Sequence, residues 1–252
     1  MNEKKTVRIG CASGFWGDSE DGAKQLIEKG RIDYLVFDYL AEITMSILTR
    51  AKAKNPDLGY ATDFIQALAP YAQSLKRQGI KVVANAGGVN PEACRRALES
   101  KLGEGWNIVV VEGDDLLPIA QRLNAMGIRE MFSAAPMPGK CLSINAYLGA
   151  FPIAEALKAG ADIVITGRCV DSALTLGPLI HELGWKNSDL NLLAQGSLAG
   201  HLIECGAQVT GGIFTDWRNV PNWENMGYPI VECCSDGNFF VTKPEGDRKS
   251  VV

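Results

Sequence analysis

Five times before residue 186, a short apolar run gives way to a knot of glycine and polar residues, and a helical pattern follows. The runs are VRIGCA at 7–12, YLVFDY at 34–39, KVVA at 81–84, IVVV at 108–111 and IVI at 163–165. Parallel neighbours cannot be joined by a tight hairpin, so strands separated by helices imply a mainly parallel sheet with right-handed crossovers. The expected fold is therefore α/β, a mainly parallel sheet flanked by helices, with a β-rich C-terminal portion. A partial β/α barrel satisfies the same alternation, but two long, irregular connections favour the open sheet.

Punctuation places the helices. Asp18 or Ser19 caps one over about 20–29, and Gly30 closes it. A longer helix over 62–78 starts at Thr62, stops at Gly79 and carries a kink at Pro70. Asn90-Pro91 opens another, with Asn as cap and Pro in the first helical position. After Trp185 the character changes. Residues 190–205 read as a helix in which Gly196 and Gly200 either weaken the pattern or mark close packing. Residues 207–214, 229–232 and 238–242 read as β-like, the last two joined by a hairpin turn at Asp236-Gly237.

In an α/β sheet, ligands gather at the carboxyl ends of the strands. Here those ends read SGFWGD, DYLAE, NAGG, EGDD and TGRCVD, so Asp18, Asp38, Asn85, Glu112, Arg168 and Asp171 are expected along one crevice. Arg168 offers a planar fork for carboxylate or phosphate. Gly14, Gly87, Gly88 and Gly167 let the backbone turn or a ligand approach closely. Ser13, Asp18, Asn85 and Asn145 supply further substrate contacts. Asp171 or Ser172 can cap the helix after 163–165, whose free N–H groups favour an anion. A plainer alternative is an Arg168–Asp171 pair that only pins the turn.

Carboxylates crowded beside an arginine suit proton abstraction next to a carbonyl, hydration or carbon–carbon lyase chemistry. Crowding raises one pKa and makes a general acid or base of it. The candidate catalytic residues are Asp171, Glu112 and Asp38. Alternatively, Asp38, Glu112 and Asp114 could hold Mg²⁺ or Mn²⁺ through oxygen ligands.

Other chemistries lack their signatures. Gly10, Gly14 and Gly17 do not space as GxGxxG and no GK[ST] follows, so no nicotinamide cofactor is expected. No GxSxG elbow exists. A net charge of −4 and a pI near 5.3, without a basic run, exclude a nucleic-acid partner. No apolar run is long enough to span a membrane, and MNEKKTVR is not a signal peptide, so no membrane partner and a cytoplasmic location are expected. Seven cysteines without a CxxC pair read as buried apolar residues. His181 and His201 sit in apolar sequence without metal-ligand spacing.

The stretches IGCASGFWGDS, DYLVFDYLAEITMSIL, KVVANAGGVNP, INAYLGAFPIAEALKAGADIVITGRCVDSALTLGPLIHELGW and GHLIECGAQVTGGIF resemble the acyclic terpene utilization (AtuA-type) family. The resemblance runs from Val7 to about Gly246 and implies a cytoplasmic protein encoded with enzymes that degrade branched or terpenoid acids as CoA thioesters. It carries across no catalytic residues, so the roles given above rest on the strand ends. Family members continue past Lys243-Pro244-Glu245-Gly246 with a TGG-type motif, whereas here Asp247-Arg248-Lys249-Ser250-Val251-Val252 follow. Codons for those six residues match the text of a common sequencing adapter. The expectation is a single AtuA-like domain over 1–246, truncated at its C-terminus, with a non-native tail at 247–252. Two functional expectations result. One is a hydratase or lyase acting on a branched carboxylate or CoA thioester, as a homo-oligomer or with a pathway partner. The other is a non-catalytic subunit or assembly partner of such an enzyme.

Overall fold

Both faces of the sheet are covered, which is why its strands read as unbroken apolar runs. The computed structural model describes residues 5–221 and 223–244; the tail at 247–252 lies outside the described residues. In chain order the elements are β1 (Thr6–Cys11), α1 (Asp21–Lys29), β2 (Tyr34–Phe37), α2 (Glu42–Lys54), α3 (Asp63–Leu68), α4 (Ala72–Gln78), β3 (Lys81–Ala84) and α5 (Pro91–Leu102). Then come β4 (Ile108–Val111), α6 (Ala120–Ala125), α7 (Phe151–Lys158), β5 (Ile163–Thr166), α8 (Ala173–Leu183), α9 (Leu190–Ile203), β6 (Ile230–Cys234) and β7 (Phe239–Thr242).

The strands form one open sheet in the order β4-β5-β3-β2-β1-β6-β7. The first five strands are parallel, and the β6–β7 hairpin adds to β1 antiparallel. The sheet does not close, so the barrel alternative is excluded. From β1 to β4 the chain steps one way across the sheet, skipping the place that β5 later fills. The helices of that leg pack on one face, with Leu26, Phe64, Leu68, Leu75 and Leu98 against Leu35, Phe37, Val82 and Ile165. The return leg covers the other face, where Ile153, Leu157, Leu174, Leu179 and Ile203 meet Ile9, Val36, Val83 and Val164. Alternate strand residues feed the two cores, as the two-residue period requires. Adjacent strands β3 and β5 therefore send their chains to opposite faces, the switch point outside whose carboxyl ends open α/β sheets hold ligands.

Two local expectations are corrected. The helix over 62–78 is broken at Pro70 by a single 3-10 turn between α3 and α4, since proline has no N–H for the ladder. Residues 207–214 are not a strand. Gly206 and Gly211 take positive φ, and Thr210 Oγ1 donates to the carbonyls of Ala207 and Gly227, which fixes a series of turns. The Asp236-Gly237 turn is present, with Gly237 at φ +83°. Among the described residues, no helix is long and apolar enough to cross a membrane.

Candidate functional site

Strand β2 ends by delivering Asp38, whose side chain lies under the loops and is 5% exposed. Asn85, at the end of neighbouring β3, donates from Nδ2 to Asp38 Oδ1 at 2.7 Å and accepts the Tyr39 N–H at 2.7 Å. Strand β5 ends in Gly167 and Arg168. Arg168 is 4% exposed; its Nη1 donates to the Leu40 carbonyl at 2.9 Å and to Asp171 Oδ1 at 2.8 Å. The guanidinium carbon lies 4.1 Å from the centroid of the Tyr147 ring, and the Tyr147 hydroxyl donates to Glu42. Glu42 Oε1 is 3.7 Å from Arg168 Nη2, and Arg168 Nε has no hydrogen-bond partner among the described residues.

A fourth element completes the cluster. Just past α9, Glu204 brings its carboxylate in from the opposite side, with His201 Nδ1 3.1 Å from its Oε1. One oxygen from each of Asp38, Asp171 and Glu204 lies within 4.8 Å of the others, a set that could hold a metal ion. Burial, and then the charge of Asp171, push the Asp38 carboxyl up to about 7, against the pull of Asn85 and Arg168. Burial and Asp171 likewise raise Glu204. Three carboxylates share one buried guanidinium, and negative charge is left over.

The remaining candidates distribute unevenly. Glu112 does not join the cluster. Because the chain skips a place after β3, β4 is the edge strand, and two strands separate it from β2. Glu112, Asp114, Asp115 and Asn145 instead line a groove of about 390 Å³ together with Lys52 and Gly88. An Asp38–Glu112–Asp114 oxygen set is therefore not assembled; Glu204 and Asp171 stand beside Asp38. Asp114 has a different task, accepting the Arg168 backbone N–H at 2.9 Å and the Asn145 amide at 2.9 Å. A Cβ on Gly167 would sit 2.5 Å from the Asp114 carboxylate, so that glycine serves the loop contact. Gly87 packs as closely on the Thr166 carbonyl, and Gly88 takes φ +56° beneath Leu48 and Gly59. Ser13 is buried and donates to the carbonyls of Phe15 and Asp38, tying β1 to β2. Gly14 lies against the Cys205 backbone and so sets the approach of Glu204. Asp18 accepts from Gly14 N–H and the Tyr228 hydroxyl, beside a second pocket of about 450 Å³.

Glu204, Tyr147 and Glu42 were not anticipated. The His201–Glu204 spacing of three at a helix end was the one available signal for Glu204, and it pairs an exposed histidine with a carboxylate turned inward. The cysteines behave as expected in part: Cys11, Cys94, Cys169 and Cys233 are buried, whereas Cys205 is exposed.

A family model described as "Acyclic terpene utilisation family protein AtuA" matches residues 7–252. The chain belongs to that family. No curated protein and no solved structure matches it. In this AtuA-family chain, the segments that carried the resemblance in the sequence are the ones that converge here. DYLAE brings Asp38 and Glu42, NAGG brings Asn85, TGRCVD brings Arg168 and Asp171, and GHLIECG brings Glu204.

Proposed function

We propose that this AtuA-family protein is an enzyme that moves a proton beside the carbonyl of a branched carboxylate or its CoA thioester, as a hydratase or lyase in acyclic terpenoid breakdown. The observation that carries this reading is Arg168, a buried guanidinium at the crevice between β3 and β5 with Nε unfilled. Burying a donor without a partner costs about 1–3 kcal/mol, a cost that a ligand oxygen at Nε would remove. Asp171 and the Leu40 carbonyl fix the orientation of the fork, leaving its Nε edge for a substrate carboxylate or carbonyl oxygen. The carboxylates beside it are the groups able to accept or return a proton. A donor set made only of oxygens selects Mg²⁺ or Mn²⁺ among cations.

A panel of candidate substrates provides the test. The protein is incubated in D₂O with branched acyl-CoA thioesters and free acids, and NMR follows exchange next to the carbonyl. The expected result is exchange or turnover with one class, falling by about 100-fold or more in Arg168→Gln, with circular dichroism at the assay temperature showing that the variant is folded. No exchange or turnover across the panel would overturn the reading.

A second reading has its own observation. Met126, Ile128, Met131, Phe132 and Leu142, in the excursion between β4 and α7, are all exposed. Exposed apolar side chains concentrated in one excursion of the chain support a reading as a contact surface, which suits a subunit that completes a pathway enzyme. Arg168→Gln would leave such assembly intact.

A further inference from the structure

The buried carboxylate of Asp38 meets the part-exposed carboxylates of Asp171 and Glu204 with few hydrogen-bond donors among them. Asp38 Oδ1 accepts one hydrogen bond, from Asn85, and no donor reaches Asp38 Oδ2 among the described residues. Asp171 accepts from Arg168, and Glu204 has only the exposed His201. The three side chains arrive from separate elements: the end of β2, the loop after β5, and the residue that follows α9. Elements so far apart in sequence meet with like charges facing, and Arg168, the guanidinium beside them, offsets only part of that charge. The buried Arg168 Nε is an independent sign, a donor at the same crevice that still lacks an oxygen.

We propose that Asp38, Asp171 and Glu204 bind one divalent, oxygen-preferring cation of the Mg²⁺ or Mn²⁺ class, leaving coordination positions for an oxygen of the ligand that Arg168 Nε holds. The spacing permits it. Oxygens on opposite sides of an octahedral ion with bonds of about 2.1 Å stand about 4.2 Å apart, and the three atoms already lie within 4.8 Å of one another. The donor chemistry favours hard ions over zinc. Cys11 and Cys169 are near, but the three atoms that converge are all carboxylate oxygens. Glu112 and Asp114, acidic as they are, belong to the neighbouring groove and take no part.

This deepens the reading of the crevice as an active site, yet cation binding is measured without any substrate, so the two can fail separately. The whole chain, stripped with EDTA, is titrated with Mn²⁺, read by electron paramagnetic resonance and calorimetry, with Mg²⁺ as competitor. The expected result is one Mn²⁺ per chain, displaced by Mg²⁺, with affinity at least about tenfold weaker in Glu204→Gln and in Asp171→Asn. Glu204 is half-buried at a helix end, so Glu204→Gln keeps the fold, and circular dichroism checks that it does. Glu112→Gln is the control in the groove and should bind as the parent does. No stoichiometric binding, or binding that survives Glu204→Gln, would overturn the proposal; so would binding that Glu112→Gln abolishes, which places the ion in the groove.

Discussion

Glu182 shows how one carboxylate can be held rather than crowded. Tyr34 donates to its Oε1 at 2.7 Å, and Lys5 Nζ reaches its Oε2 at 2.8 Å. Burial pushes the Glu182 carboxyl up, but the hydrogen bonds from Lys5 and Tyr34 outweigh it and hold it below the usual range. A carboxyl whose folded pKa is depressed stabilises the protein above its unfolded pKa and stops doing so as pH falls through the folded value. Glu182→Gln should therefore cost about 1 kcal/mol at neutral pH, with the gap to the parent closing as denaturant melts are repeated down through the carboxylate range. A gap that stays constant with pH would show that Glu182 acts only by packing. Asp38 is the contrast, a carboxyl raised by burial and a like charge. The sequence marked Asp38, Asn85, Arg168 and Asp171 because each lies in the segment just beyond a strand's carboxyl end. Glu204 was not marked as a partner of Asp38 because it reaches the site from the end of a helix, and no rule of spacing connects it to Asp38, 166 positions earlier.

The packing of α8 against α9 depends on two glycines that a propensity scale would penalise. A Cβ on Gly200 would stand 2.7 Å from the Ser172 carbonyl oxygen and 2.9 Å from its Cα, atoms of the backbone that cannot swing aside. A Cβ on Gly196 would meet Leu176 and Trp185, also under 3.0 Å, but these are side-chain ends. Alanine gains about 1 kcal/mol over glycine in an isolated helix, whereas overpacking costs about 1–3 kcal/mol. Gly200→Ala should thus lower the melting temperature more than Gly196→Ala does, and a Gly200→Ala protein that melts at or above the parent would refute this account of the contact. At this scale much was legible. The five parallel strands announced themselves as apolar runs because helices cover both of their faces. The insertion of β5 between β3 and β4 was not legible, because hydrophobic runs carry no information about neighbours, and that insertion is what sends Glu112 away from Asp38.

Across the whole molecule, seven thiols sample both cores, the loops and the sheet. Cys11, Cys94, Cys169 and Cys233 are buried, Cys141 and Cys234 are half-buried, and Cys205 is exposed. A colorimetric thiol reagent should label Cys205 first, Cys141 and Cys234 more slowly, and the other four only after unfolding. Rapid labelling of any of those four in the native protein would contradict the packing described. The pairing of β1 with β6 has a further consequence, for the order of events at the ribosome. Ile9 pairs with Val231, so the earliest strand to emerge keeps one edge bare until the chain has grown past β6. At synthesis rates of about 5–20 residues per second, that wait is roughly 10–45 s. During it, β1 presents unpaired N–H and C=O groups to any other nascent strand, and a holdase that shields this edge would raise the yield of native protein.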